Sequence, residues 1–371
     1  MAECHQSLKA AMQRTEELRQ EGRPKEALSS AIKRSDNNPQ DNRALYTKAI
    51  YLQFSGRLQE AETALRTVIS RGLDLPDVRH ALGVNLLAQG RYHEAWPLYA
   101  ARAEMPHLRD GYPRQFPFPR WESESLEGKR IALFREQGFG DQIQFVRFVP
   151  HLCSIGASVT LLTPPPLVRL FATNFPNVEI VAASGSVEFE DPDYWLTLAD
   201  LPGKLDIGFE DLGPDPYLSA PPGSSKPGSD LRVGFVGQGS PTHLHDRYRS
   251  LPTELVAKLE RQLPGTIVPL TPEQSGAKDF ADTAAIIAGL DVIVSVDTSA
   301  AHLAGAMGKP CMLLLSEFGT DWRWMRGRKT SPWYAAHRLY RNEIGGNWAK
   351  PLAQIAEDLS VMQAQKLHNI A

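Results

Sequence analysis

Gly22-Arg-Pro-Lys-Glu-Ala27, Gly56-Arg-Leu-Gln-Glu-Ala61 and Gly90-Arg-Tyr-His-Glu-Ala95 are one phrase written three times, each copy 34 residues after the last. A fixed period of this length marks stacked helical hairpins, in which a small residue turns the chain between two antiparallel helices and an alanine lets their backbones approach. Gly22, Gly56 and Gly90 fit the turn.

The period and the phrase together resemble the tetratricopeptide repeat, over about residues 5 to 105. The resemblance implies that Gly83 and Tyr92 in the third copy are helix-packing positions and that Pro39 closes the first copy. A helical repeat domain is therefore expected over residues 1–110. Repeats draw their stability from nearest neighbours, so the remainder is expected to fold and stay soluble without them.

Beyond Trp121 the texture changes to short β-rich runs, each followed by a helical stretch: Arg130–Phe134, Ser158–Leu162, Val178–Val181, then Arg232–Val236, Ile267–Leu270, Val292–Val296 and Met312–Leu315. Strand and helix in alternation imply parallel sheets. Ser219–Asp230 (SAPPGSSKPGSD) can continue neither a helix nor an inner strand and reads as a linker between two α/β units. The expected class is α + α/β: the array, a Rossmann-like domain over 111–220, and a second over 221–371 that closes with a helix at Trp348–Lys366.

The 40 basic and 43 acidic residues leave a net charge of −3, so no overall field is available for a nucleic-acid backbone or an anionic membrane. An anionic ligand must be held by local groups. The opening residues lack the apolar core of a secretory signal, and the longest apolar runs fall well short of the roughly 20 residues of a membrane span. Cys4, Cys153 and Cys311 are odd in number and scattered, which suits reduced thiols and a cytoplasmic location.

Three places can carry chemistry. The turn Glu136-Gln-Gly138-Phe-Gly140-Asp141 follows a strand and opens a helix, so its glycines admit a substrate to the backbone. Asp141 there has two readings, a helix cap or a general base. The turn Asp297-Thr298-Ser299-Ala300-Ala301-His302 follows the strand Val292–Val296, and its small residues leave helix-start N–H groups free for a diphosphate. His302, on the first helical turn, is either beside that anion or a satisfied histidine packed on the sheet. The third place is the loop after Gly237-Gln-Gly239, where Arg247 and Arg249 suit a phosphate. His243 and His245 in that loop lack a third ligand at metal spacing and read as solvated. Trp322, Trp324, Trp333 and Tyr334 could face a sugar, though large aromatics belong more often to the core.

The segments EQGFGDQIQFVRFVP, VSVDTSAAHLAGAMGKP and DWRWMRGRKTSPWY together resemble glycosyltransferase family 9, the ADP-heptose:lipopolysaccharide heptosyltransferases, in a repeat-fused branch. The resemblance implies a GT-B fold, with the acceptor mainly on the first Rossmann domain and a nucleotide sugar mainly on the second. It implies that Asp141 is the general base and that Asp297 to Leu303 form the phosphate loop. No metal or other cofactor is expected. Ser299 stands where the family usually has Gly, and Arg249 where it usually has Lys. The function expected is inverting, metal-independent transfer from a nucleotide-diphosphate sugar to a protein or glycan hydroxyl, with the array recruiting the acceptor or a partner. The alternatives are a non-catalytic scaffold with a nucleotide-binding or degenerate GT-B region and, less supported, an epimerase-type enzyme, which needs a further carboxylate facing the sugar.

Overall fold

The computed structural model describes residues 13–105, 116–185, 187–224 and 230–368. Cys4, the start of the repeat region before residue 13, and residues 225–229 of the expected linker lie outside the described residues.

Residues 13–20 form α1, followed by α2 (Pro24–Asn37), α3 (Asn42–Phe54), α4 (Leu58–Ser70), α5 (Pro76–Ala88) and α6 (Tyr92–Tyr99), which runs into a 3-10 turn at Ala100–Glu104. The repeated glycines fall between α1 and α2, α3 and α4, and α5 and α6, and all three adopt a φ of 80°. At each, two backbone bonds close the helix end. Arg23 donates to the Leu18 carbonyl and Gly22 to that of Arg19, Arg57 to Leu52 and Gly56 to Gln53, Arg91 to Leu86 and Gly90 to Leu87. That double closure needs a left-handed residue after the helix, which glycine supplies without a Cβ penalty. Ala27, Ala61 and Ala95 are fully buried beyond the turns. Gly83 on α5 lies so close to α6 that a Cβ would stand 2.5 Å from the Tyr99 nitrogen.

The first α/β unit contains β1 (Arg130–Phe134), α7 (Phe139–Phe145), α8 (Val149–Ser154), β2 (Ser158–Thr163), α9 (Pro165–Asn174), β3 (Glu179–Ala182), β4 (Tyr194–Thr197) and α10 (Leu201–Lys204). Its sheet is parallel, in the order β3-β2-β1-β4. The second contains β5 (Arg232–Val236), α11 (Asp246–Arg249), α12 (Thr253–Gln262), β6 (Thr266–Pro269), α13 (Pro272–Ser275), α14 (Phe280–Ala288), β7 (Val292–Val296), α15 (Ser299–Ala306), β8 (Cys311–Leu315), β9 (His337–Arg341) and α16 (Ala349–His368). Its sheet is also parallel, in the order β6-β5-β7-β8-β9. The seven expected strands all form, and β4 and β9 are additions.

Strand order decides where ligands can enter. In the first sheet the winding reverses between β1 and β4, in the second between β5 and β7. Such reversal points open a crevice at the carboxyl ends of the strands. The turns carrying Gly138–Asp141, Gly237–Gly239 and Asp297–His302 follow β1, β5 and β7, so all three candidate segments sit at those crevices.

One apolar core runs from Leu18 in the array through Tyr92, Leu133 and Ile293 to Leu339, joining the array, the first sheet and the inner face of the second. A second core lies on the outer face of the second sheet, where Leu259 of α12 and Ile355 of α16 meet Val294. The two α/β units touch through α9 and α14, where Arg169 makes a fork to Asp279 at 2.8 and 2.6 Å, and through α7 and α15. No helix among the described residues is long and apolar enough to cross a membrane.

Candidate functional site

β1 ends at Phe134, and the chain passes through Gln137 in the left-handed region at φ 64° before α7 begins. Gly138 is the cap residue and Asp141 stands three residues into the helix, not at its first position as the sequence suggests. The Asp141 carboxylate accepts the Gly138 N–H at 2.9 Å, which is the capping reading, and its other oxygen pairs with Arg323 at 2.6 Å. Arg323 comes from the segment after β8 and is buried. It forks onto Asp321 at 3.1 Å, bonds the Gln144 side chain and lies 4.3 Å from the centre of the Trp322 ring. Burial raises the Asp141 carboxyl above its ordinary value, Arg323 opposes this, and the nearby Asp321 charge adds to it.

α15 starts at Ser299, with Thr298 as an extended cap residue whose hydroxyl lies 3.1 Å from that of Ser295. The Thr298 carbonyl receives the Ala301 and His302 N–H groups at 3.0 and 3.3 Å. The Ser299 and Ala300 N–H groups precede any intrahelical acceptor, as at every helix start. Arg249 reaches across from α11 and donates to the Asp297 carbonyl at 2.9 Å, while Asp246 holds its Nε at 3.1 Å. Burial and the neighbouring Asp321 push the Asp297 carboxyl up to about 6.

His302 is packed and engaged. It is 6% exposed, its Nδ1 lies 2.9 Å from the Tyr334 hydroxyl, and burial lowers its basicity well below the ordinary imidazole value. The ring also joins the two units. A Cβ on Gly140 would stand 2.7 Å from the His302 ring, so the glycine is the space into which the histidine fits. The turn after β1 and the turn after β7 therefore meet. Trp322, Trp324, Trp333 and Tyr334 are buried, which is the core-packing alternative.

The loop after β5 divides in its behaviour. His243 is exposed, whereas His245 is not the solvated residue the sequence suggests. It packs edge-on against Phe54 at 4.6 Å, and burial drops it to about 3, leaving it neutral. Arg247 donates to the Glu21 carbonyl at 3.2 Å, so it belongs to the contact with the array.

A cavity of about 150 Å³ opens where these pieces converge, lined by Arg249, Asp297, His243 and His245, by the segment Leu315–Trp322, and by Gln53, Phe54 and Val84 from the array. Arg323, Asp321 and the array residues were not singled out from the sequence. Asp321 and Arg323 lay inside a segment quoted for its likeness, and the signal available was a pair of opposite charges alternating with two tryptophans. The array also reaches the first turn. Buried Arg102 pairs with Glu136 at 2.7 Å and Asp200 at 2.7 Å, and the Gln137 amide donates to the Tyr99 hydroxyl at 2.8 Å. Among the described residues one group, His93 with Glu210 and Asp211, could converge on a cation; all three are exposed and none is a candidate site residue.

No family model matches the chain. Protein FlbA of Caulobacter vibrioides (strain ATCC 19089 / CIP 103742 / CB 15) is 27% identical over 354 aligned residues, covering 83% of this chain. The chain spans 59% of that curated relative's length. Among solved structures, a family 9 glycosyl transferase from Veillonella parvula aligns with 65% of this chain and 100% of its own, at 12% identity and a TM-score of 0.46. The E. coli ADP-heptose lps heptosyltransferase II aligns over 65% and 100%, at 15% identity and a TM-score of 0.43. An O-GlcNAc transferase from Thermobaculum terrenum aligns over 98% and 94%, at 14% identity and a TM-score of 0.27. Likenesses this distant carry no weight for function, which rests on the residues.

Proposed function

We propose that the chain is a glycosyltransferase of GT-B type, with tetratricopeptide repeats at its N-terminus, that moves a sugar from a nucleoside-diphosphate donor to an acceptor hydroxyl. The observation that supports the reading is the meeting of the two turns at Gly140 and His302, which brings the turn carrying Asp141 against the first turn of α15. Asp141 accepts the acceptor's proton as the hydroxyl oxygen forms its bond to the anomeric carbon. The bond from that carbon to the diphosphate breaks on the opposite face, so the configuration inverts. Charge grows on the departing diphosphate, where Arg249 and the Ser299 and Ala300 N–H groups stand ready; donors fixed in advance lower the barrier more than they tighten ground-state binding. The array brings the acceptor, a protein or glycan, or a partner that presents it.

A second reading has one observation in its favour: both Asp141 oxygens already accept a hydrogen bond, from Gly138 and from Arg323. A chain so occupied could bind nucleotide and scaffold a partner without transfer. Two measurements separate the readings. Calorimetry with ADP, GDP, UDP and CDP is expected to find at least one ligand, with Arg249→Ala weakening it by about tenfold or more, as loss of a charge-assisted bond implies. With a donor and acceptor in hand, Asp141→Asn is expected to cut turnover by roughly 10²–10⁴-fold and leave nucleotide affinity within a few-fold. Near-normal turnover in a folded Asp141→Asn variant removes the base, and a nucleotide-binding parent that transfers to no acceptor favours the scaffold.

A further inference from the structure

The cavity beside Arg249 and Asp297 has a wall that the α/β units do not supply. Phe54 ends α3, the first helix of the second hairpin, and its carbonyl accepts the Gly319 N–H at 2.8 Å and an Arg326 N–H at 2.9 Å. Its ring meets those of His245 and Phe318 edge-on, at 4.6 and 5.8 Å. The loop carrying Arg249 is fastened from the same direction, by Arg19 to the Leu244 carbonyl at 2.6 Å and by the Tyr248 hydroxyl to the Arg19 carbonyl at 2.5 Å. These bonds span more than 200 positions of sequence, and they hold the array against the carboxyl ends of β5, β7 and β8.

Gln53 lines this cavity with a side-chain Oε1 that is buried and has no hydrogen-bond partner. A buried carbonyl left unpaired keeps its desolvation cost with nothing to offset it, so its place in a fold needs a reason. A ligand N–H or O–H arriving in the cavity supplies one. The volume of about 150 Å³ lies below the roughly 300–1,000 Å³ of sites that swallow a whole drug-sized molecule. It has room for one ring system, with the charged part of the ligand at Arg249 and the start of α15. Phe54, Phe318 and Trp322 contribute apolar surface to the lining, and His245 contributes an uncharged imidazole.

We propose that the helical array is part of the nucleotide site itself: the nucleoside end of a nucleoside diphosphate lies between Gln53, Phe54 and Val84 of the array and the segment after β8, and donates a hydrogen bond to Gln53 Oε1. The inference rests on the nucleotide reading above and extends it. The array is then a wall of the donor site as well as an arm toward acceptors, and a nucleotide enters and leaves past it.

The test uses the full chain and whichever of ADP, GDP, UDP and CDP binds most tightly, titrated calorimetrically into the parent, Gln53→Ala, Val84→Trp and Arg249→Ala. Arg57→Ala, an exposed array residue outside the cavity, is the control. Gln53→Ala is expected to lose about three- to tenfold in affinity, the worth of one neutral hydrogen bond. Val84→Trp fills the space and is expected to lose more, with Arg57→Ala unchanged. Should Val84→Trp fail to fold, Gln53→Ala alone decides. Parent-like affinity in the folded Gln53→Ala and Val84→Trp variants, with Arg249→Ala weakened, overturns the array's part and leaves the nucleotide reading standing. Binding of no nucleotide by the parent overturns both.

Discussion

Asp297 sits in an environment that its sequence neighbours do not disclose. Its carboxyl is pushed up to about 6 by burial and by Asp321, against the opposing pull of Trp324, Arg249 and Arg323, with the neutral His302 ring 3.8 Å away. A carboxyl raised in the fold keeps its proton longer there than in the unfolded chain. Its contribution to stability is therefore whole below about pH 4 and lost as the pH climbs through about 6. Asp297→Asn removes the charge and keeps the shape, so it is expected to be more stable than the parent at pH 8, with the gap shrinking toward pH 4. Urea unfolding at the two pH values reads this directly. A variant less stable than the parent at both would mean that the ionised carboxylate is held by contacts stronger than its burial penalty.

At the scale of elements, the helical turns were legible because one residue type does one job at a fixed interval: a left-handed φ of 80° recurs at Gly22, Gly56 and Gly90. Seven strands were legible as apolar runs ahead of helical stretches. β4 was not, because its four residues follow Asp-Pro-Asp in a loop-like stretch, and β9 was not, because His337-Arg-Leu-Tyr-Arg341 carries charge at an edge position. The turns after β1 and β7 were visible, but their meeting was not, since contacts across 160 residues leave no local trace. Gly140 makes that meeting testable. A Cβ there would stand 2.7 Å from a His302 ring pinned by Tyr334, so neither partner yields easily. Gly140→Ala is expected to cost about 1–3 kcal/mol, the range for an overpacked core. An unfolding midpoint equal to the parent's would show that α7 and α15 have slack at this point.

On the scale of the whole molecule, the array and the α/β region are packed as one body, which changes what truncation should do. Repeat arrays in general are separable, and sequence alone favours a soluble remainder after loss of residues 1–110. Here Tyr92, Trp96 and Tyr99 each lie edge-on to Trp322 at 5.9 to 6.2 Å, and Tyr92 stacks on Trp333 at 6.0 Å. Arg102 is 1% exposed and shares its charge between Glu136 and Asp200, whose carboxyl it and Arg120 hold down at about 2. Removing the array uncovers the rings of the segment after β8 and strips Glu136 of the guanidinium that pairs it, beside the turn that carries Asp141. Breaking a buried ion pair by deleting one member costs about 3–5 kcal/mol, before any apolar surface is counted. The remainder is therefore expected to aggregate or to melt well below the full chain, and to lose nucleotide binding along with the Gln53 and Phe54 wall. Gel filtration and a thermal melt of residues 111–371, followed by calorimetry with the nucleotide bound by the parent, decide it: a monomeric fragment with parent-like melting and affinity would make the array an appendage rather than part of the core.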